Sequence, residues 1–315
     1  LPMASCTKVM TALLVLEKVP DLGRYARVPA IATTQRGTKL GLRPGDRITI
    51  RNLLLGLMVR SATDCAVTLA HYVSGSEPAF AQLMNRRAAQ LGLADTHYAN
   101  SSGIRIADHY TSARDLAELG RVAMRNARFR DLAWRVWATV SWPPDHRVRI
   151  HSRNRFNELY DWVDGIKTGA TSEAGCCLVA SGKYGLRRFI VTTLHEPGRD
   201  QEVVDALRLF RYGASFYALR TVVGRGDAVA PVAVEGGGQV DAVAAATLRA
   251  VYRRGAEIVP RLALPATLAT APAPGSVLGA VTYYADGRKL GRVELLAANA
   301  SSPSQSPSQS PASSP

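Results

Sequence analysis

Ser5 and Lys8 stand three residues apart at the head of an apolar run, Val9-Met10-Thr11-Ala12-Leu13-Leu14-Val15-Leu16. A hydroxyl becomes a useful nucleophile only with a base beside it. A lysine can be that base where burial or a cationic neighbour lowers its pKa. Residues at i and i+3 share one face of a helix, so Ser5 Oγ and Lys8 Nζ can meet at its first turn. The run is apolar nearly all round, which predicts a buried helix. Two further patterns follow: Ser61-Ala62-Thr63 and Lys167-Thr168-Gly169.

Each pattern alone has a plain structural reading. Composition makes one Ser-x-x-Lys match expected in a chain of about this length. Lys8 can be a helix lysine that stretches to solvent, and Lys167 a solvated charge. Ser61 or Thr63 can cap a helix beginning at Cys65, and Thr168-Gly169 can be a strand-edge turn. The order of the three and their occurrence together favour a shared site.

The remaining elements follow from periodicity. Helices are expected over 51–59, from Cys65, over 77–91 and over 112–124, with Ser112 as a cap and Gly92 as a stop. The segment 134–148 reads as strand and loop around Pro143-Pro144. Cys177 to Gly182 and Arg188 to Leu194 read as two strands of a hairpin, and Glu202 to Tyr212 as a last helix. From about Tyr217, short β-like runs alternate with Gly and Pro, and Asp286-Gly287 marks a hairpin turn. The expected organisation is therefore 1–216, a β-rich domain over 217–297, and a Ser/Pro/Gln/Ala tail over 298–315 that cannot bury a core.

The 39 Lys and Arg against 25 Asp and Glu give a net charge of +14. Such a charge attracts polyanions. The basic residues are scattered, and no nucleic-acid module is present, which argues against nucleic acid as the partner. Cys6, Cys65, Cys176 and Cys177 lack metal spacing and read as small buried hydrophobes. The histidines show no metal spacing either, and His97 reads as a packing residue. No metal or organic cofactor is called for. A helix starting this near the first residue suggests a chain cut into, with a segment upstream of Leu1.

The three motifs resemble the S-x-x-K, S-x-N and K-T-G set of serine enzymes that bind penicillin. The flanking residues sharpen the likeness. The stretch from Pro2 through Ala12, Gly75-Ser76-Glu77, Met84-Asn85, Leu91-Gly92-Leu93, Asp95-Thr96-His97-Tyr98 and Val163 to Gly169 are similar to the low-molecular-mass penicillin-binding proteins, the D-alanyl-D-alanine carboxypeptidases. Ala271-Pro272 and Asp286-Gly287 extend the resemblance into the β-rich part.

This resemblance implies an α/β (α+β) penicillin-recognising fold, an antiparallel sheet with helices, followed by a small all-β domain. It implies that Ser5 attacks, Lys8 takes its proton and Ser61 relays a proton to the leaving amine. Thr63, Lys167, Thr168, Gly169 and Ala170 would bind substrate, the last with Ser5 through backbone N–H groups. The implied substrate is a peptidoglycan stem peptide ending in D-Ala-D-Ala, with β-lactams as inhibitors, outside the cytoplasm after a secretory signal. Anionic wall polymers are candidate partners. The tail lacks the apolar face of a membrane-anchoring helix, which argues against anchoring.

Two departures stand out. Thr63 replaces the motif's Asn, and Val203 falls near the place of a downstream arginine, with Arg199 the nearest substitute. A serine β-lactamase and a non-catalytic peptidoglycan-binding relative are the alternatives.

Overall fold

The computed structural model describes residues 1–298, except Arg105 and Leu186. The chain divides into two compact units, Leu1–Gly213 and Ala214–Pro315. The sequence-based tail, 298–315, falls almost wholly outside the described residues.

The first unit is built around α1 (Lys8–Lys18). Every residue from Lys8 to Leu16 is buried, as an apolar surface on all sides requires. Around it come β1 (Tyr25–Arg27), α2 (Ala30–Thr34), β2 (Arg47–Thr49), α3 (Ile50–Leu55), α4 (Thr63–Ser74), α5 (Glu77–Gln90), α6 (Ala113–Ala123) and α7 (Ala127–Ala133). Side chains cap several of these: Ser76 Oγ accepts from Ala79 N, Ser112 Oγ from Asp115 N, and Asn126 Oδ1 from Phe129 N. Neither Ser61 nor Thr63 caps α4. Ala62 holds the cap position without a side-chain bond, and Thr63 is already helical. The expected helix over 51–59 splits into α3 and a wider π turn, Gly56–Arg60, that ends on Ser61.

Next come the hairpin strands β3 (Trp137–Trp142) and β4 (His146–His151), then α8 (Arg155–Leu159). The antiparallel strands β5 (Val163–Thr171), β6 (Gly175–Tyr184) and β7 (Arg187–Glu196) form one sheet in that order. Cys177 and Val179 of β6 join the core around α1, whereas Leu178 and Ala180 face the other way, with Ala206 and Phe210 of α9 (Arg199–Phe216). A strand covered on both faces explains the unbroken apolar run at 177–180. All four cysteines are free, but Cys176 is only half-buried, so the expectation of four buried thiols fails there. Its side chain points opposite to that of Cys177.

The second unit contains β8 (Tyr217–Val223), β9 (Ala228–Val234), β10 (Gln239–Ala244), β11 (Leu248–Arg253), β12 (Ile258–Ala263), β13 (Thr267–Leu268), β14 (Val277–Ala285) and β15 (Arg288–Ala297). Six form a sheet in the order β12-β14-β15-β10-β9-β13, and β8 pairs with β11. Val232, Ala242, Val281 and Leu295 are among its core residues. Asp286 and Gly287, both with positive φ, turn β14 into β15.

Asp64, fully buried in the first turn of α4, ties the 40–42 loop to the helix. Its carboxylate accepts from the N–H groups of Leu40, Gly41, Leu42 and Cys65. Asp64→Ala would orphan these donors and should destabilise the chain by about 3 kcal/mol, measured by thermal denaturation. A change below about 0.5 kcal/mol would contradict this role.

Candidate active site

Ser5 sits in a short 3-10 turn, Ala4–Thr7, that feeds directly into α1. Lys8 is the first residue of α1 and is 1% exposed. Its Nζ lies 2.8 Å from Ser5 Oγ and 2.6 Å from the carbonyl oxygen of Ser102. Burial, and then the charge of Lys167, lowers the Lys8 amine to about 7. Lys167, on β5, is itself buried and donates to the Thr168 carbonyl at 3.0 Å. Burial is the first cause that lowers it, to about 8, and Arg199 and Arg153 add to it. Near neutral pH the inner amine can therefore be a free base while the outer one remains charged. In that form the Lys8 amine offers a lone pair 2.8 Å from the Ser5 hydroxyl.

A cleft of about 240 Å³ brings the predicted residues together: Ser5, Ser61, Thr63, Thr168, Gly169 and Ala170 all line it. Ser61 has a left-handed backbone, φ 65°, at the end of the π turn, and is 6% exposed. Thr63 occupies the place beside Gly37, and its N–H bonds the Thr38 carbonyl at 2.7 Å. Arg199 lines the cleft too, because α9 begins at Arg199 rather than at the expected Glu202. Val203 packs instead against the cluster containing Phe156 and Phe210. Arg199, named from the sequence as the nearest substitute for a downstream arginine, thus stands at the cleft; helical periodicity marks the apolar face but not the first turn that carries it. Arg36 and Arg153 also line the cleft, so three guanidinium groups surround it and no carboxylate does among its described lining residues.

Sequence reasoning missed the loop that completes the site. Asn100 Oδ1 accepts from Ser102 N at 3.0 Å and from Gly103 N at 2.7 Å, and its Nδ2 donates to Ile104 O at 2.8 Å. Ser101 donates to Glu77 through both its N–H and its hydroxyl, and its carbonyl accepts from Thr11 Oγ1. These bonds fix the Ser102 carbonyl that holds Lys8. The signal available in sequence was the turn-forming run Asn100-Ser101-Ser102-Gly103.

The Ser5 turn is strained and supported. Ala4 has φ 45°, unusual for a residue with a side chain. Its carbonyl accepts from Thr7 Oγ1 at 2.8 Å. His109 Nδ1 accepts from Ala99 N, which leaves the ring proton on Nε2 to be donated to Thr7 Oγ1 at 2.7 Å. Burial lowers the His109 ring to about 4, so it stays neutral at working pH. Two glycines let other elements reach this turn. A Cβ on Gly103 would fall 1.8 Å from the Ala4 carbonyl oxygen, and one on Gly169 would fall 2.8 Å from Ser5 N. His97, expected to pack, hydrogen-bonds the Asp108 carbonyl through Nδ1, and its backbone pairs with Tyr110. Among the described residues no cluster of three or more His, Cys, Asp or Glu could hold a metal ion.

Helices around an antiparallel sheet, with a Ser-Lys pair under the sheet's edge, define the penicillin-recognising fold. Comparison with known proteins agrees. The chain belongs to the peptidase S11 family, D-alanyl-D-alanine carboxypeptidase, whose profile matches residues 1–198. It is 30% identical over 241 residues to the D-alanyl-D-alanine carboxypeptidase DacF of Bacillus subtilis, covering 75% of this chain and 62% of DacF. It is 31% identical over 226 residues to a D-alanyl-D-alanine carboxypeptidase of a Streptomyces species, covering 66% of this chain and 77% of that protein. Penicillin binding protein 5 from Haemophilus influenzae superposes with a TM-score of 0.71 at 25% identity, over 95% of this chain and 90% of that one. The match spans only 62% of DacF and 60% of the Escherichia coli relative DacD.

Gly169→Ala and Thr7→Val should each slow acylation of Ser5 by a labelled penicillin, the first by at least about 100-fold through misplacement of the turn. Thr7→Ser, which keeps the hydroxyl, should restore most of the rate. Equal rates for Thr7→Val and wild type would rule out the His109–Thr7 support.

Proposed function

We propose that this chain is a serine D,D-carboxypeptidase acting on peptidoglycan stem peptides outside the cytoplasm. The observation that carries this reading is the buried Lys8 amine, lowered to about 7 and 2.8 Å from Ser5 Oγ. Ser5 Oγ attacks the carbonyl between two D-alanines as Lys8 takes its proton. The backbone N–H groups of Ser5 and Ala170 face the oxyanion. The C–N bond breaks as Ser61 passes a proton to the departing amine, and terminal D-alanine leaves. Water then cleaves the Ser5 ester. Thr168 and Arg199, with the field of Lys167, hold the terminal carboxylate, and Gly169 admits the peptide against β5. Thr63 offers one hydroxyl where an amide would bond at two ends, which narrows the contacts to Lys8 and the substrate carbonyl.

A β-lactam acylates the same serine. The β-lactamase alternative needs a carboxylate to activate the deacylating water. Glu158, the candidate glutamate, pairs with His151 instead, and the cleft's described lining has no acid. In this reading 1–216 is the catalytic domain and 217–297 an accessory β domain. No helix among the described residues is long and apolar enough to cross a membrane. The +14 charge suits attraction to anionic wall polymers.

Incubation with labelled penicillin should leave a stable adduct on Ser5, absent in Ser5→Ala, and the protein should release D-alanine from a pentapeptide. No adduct on folded protein, or an adduct that survives Ser5→Ala, would overturn the assignment. Acylation should rise with pH through about 7, as Lys8 loses its proton. It should fall above about 8, as Lys167 loses its charge. The two amines interact, so both limbs belong to the pair. A rate independent of pH across this window would refute the lysine base.

A further inference from the structure

The β3–β4 hairpin carries a face that the cleft chemistry does not use. Its register pairs Trp137 with His151, Thr139 with Arg149 and Ser141 with Arg147. Val140, Trp142 and Ile150 are buried on the inner face, so alternation places the three pairs on the outer one. Trp137 is 49% exposed, and Trp134, three residues earlier, is 56% exposed. Tryptophan is usually largely buried, so this exposure is informative. The indole of Trp137 lies against the His151 ring, with centroids 4.1 Å apart, and Arg149 sits 4.4 Å from its centroid. This contact pre-orders the Arg149 fork. Neither Arg147 nor Arg149 has an ion-pair partner among the described residues, and the nearby Glu158 is taken by His151.

We infer that this outer face is a docking strip for the glycan strand of polymeric peptidoglycan, which it holds while a stem peptide enters the cleft. Three features point to that occupant. An exposed indole and hydroxyls suit sugar rings, which present apolar faces rimmed by polar groups. Two unpaired arginines suit the carboxylates that recur along a peptide-bearing glycan. The strip also leads to the site: Arg153, which lines the cleft, is two residues past His151, at most about 7 Å of extended chain. Holding the polymer turns peptide capture into a local event, which raises its effective concentration without a new contact in the cleft. The choice of polymer rests on the carboxypeptidase reading.

The test is cosedimentation of the full chain with insoluble peptidoglycan stripped of phosphate-containing polymers. The variants are Trp137→Ala/Arg149→Ala and Arg147→Glu/Arg149→Glu. Both should bind about tenfold more weakly than wild type. Thermal melting should match wild type, and penicillin acylation and D-alanine release from a free pentapeptide should stay within about twofold. Wild type that fails to sediment, or variants that sediment as wild type does, overturn the strip. So does a loss confined to a soluble phosphodiester polymer, which would make that polymer the occupant. Wild type that sediments through the strip but is never acylated leaves the strip standing and removes the carboxypeptidase reading.

Discussion

The first unit is organised around an expensive act: burial of two lysine amines beside one serine. An ammonium taken out of water loses hydration that a carbonyl or two does not replace. For Lys8 that cost appears as a proton affinity lowered to about 7, and the same cost makes it a base. Lys167 brings its charge without a counter-ion at hydrogen-bond distance among the described residues and donates to a carbonyl instead. The surrounding structure exists to hold this arrangement. A helix buried on every side carries Ser5 and Lys8, a strand edge brings Lys167, and a clamped loop supplies the Ser102 carbonyl. A looser scaffold would let water in, and the amine would regain its proton.

Much of this was legible in the sequence because chemistry with few solutions leaves short signatures. Ser5-Cys6-Thr7-Lys8 and Lys167-Thr168-Gly169 are local patterns whose residues act close to where they stand in the chain. The buried helix and the 177–180 strand were legible for a different reason. Full burial removes the amphipathic rhythm, and an unbroken apolar run remains. What escaped were contacts made by loops and helix starts. Asn100 matters through bonds to its own neighbours, and Glu77 through Ser101, 24 residues away. Neither has a periodicity. Arg199 was legible only as the nearest substitute for an arginine expected near Val203, because polar first turns look like the loops that precede them. The capping roles offered for Ser61 and Thr63 failed because the π turn shifts the helix start and leaves Ser61 in a left-handed conformation facing the cleft.

The two units pose different problems of stability. The first buries a continuous core around α1, large enough to tolerate buried polar networks such as the Asp64 and His109–Thr7 sets. The second relies on a smaller cluster of Val, Ala and Leu side chains under a six-stranded sheet, with its register fixed by turns such as Asp286-Gly287. Its residues carry none of the three motifs.

The close approaches at Gly103 and Gly169 also bear on drug escape. Under the carboxypeptidase reading, an acylating β-lactam and the natural peptide engage one turn, and backbone atoms already press on it from both sides. No added atom at either glycine can exclude the drug and keep the peptide, because the clash falls on the Ser5 turn itself. Substitutions that discriminate between the two ligands are confined to side chains at the rim, such as Arg36 and the exposed Ala170, where ligand shapes diverge. A resistant descendant of this chain would carry its changes there and leave the inner ring of glycines and lysines untouched.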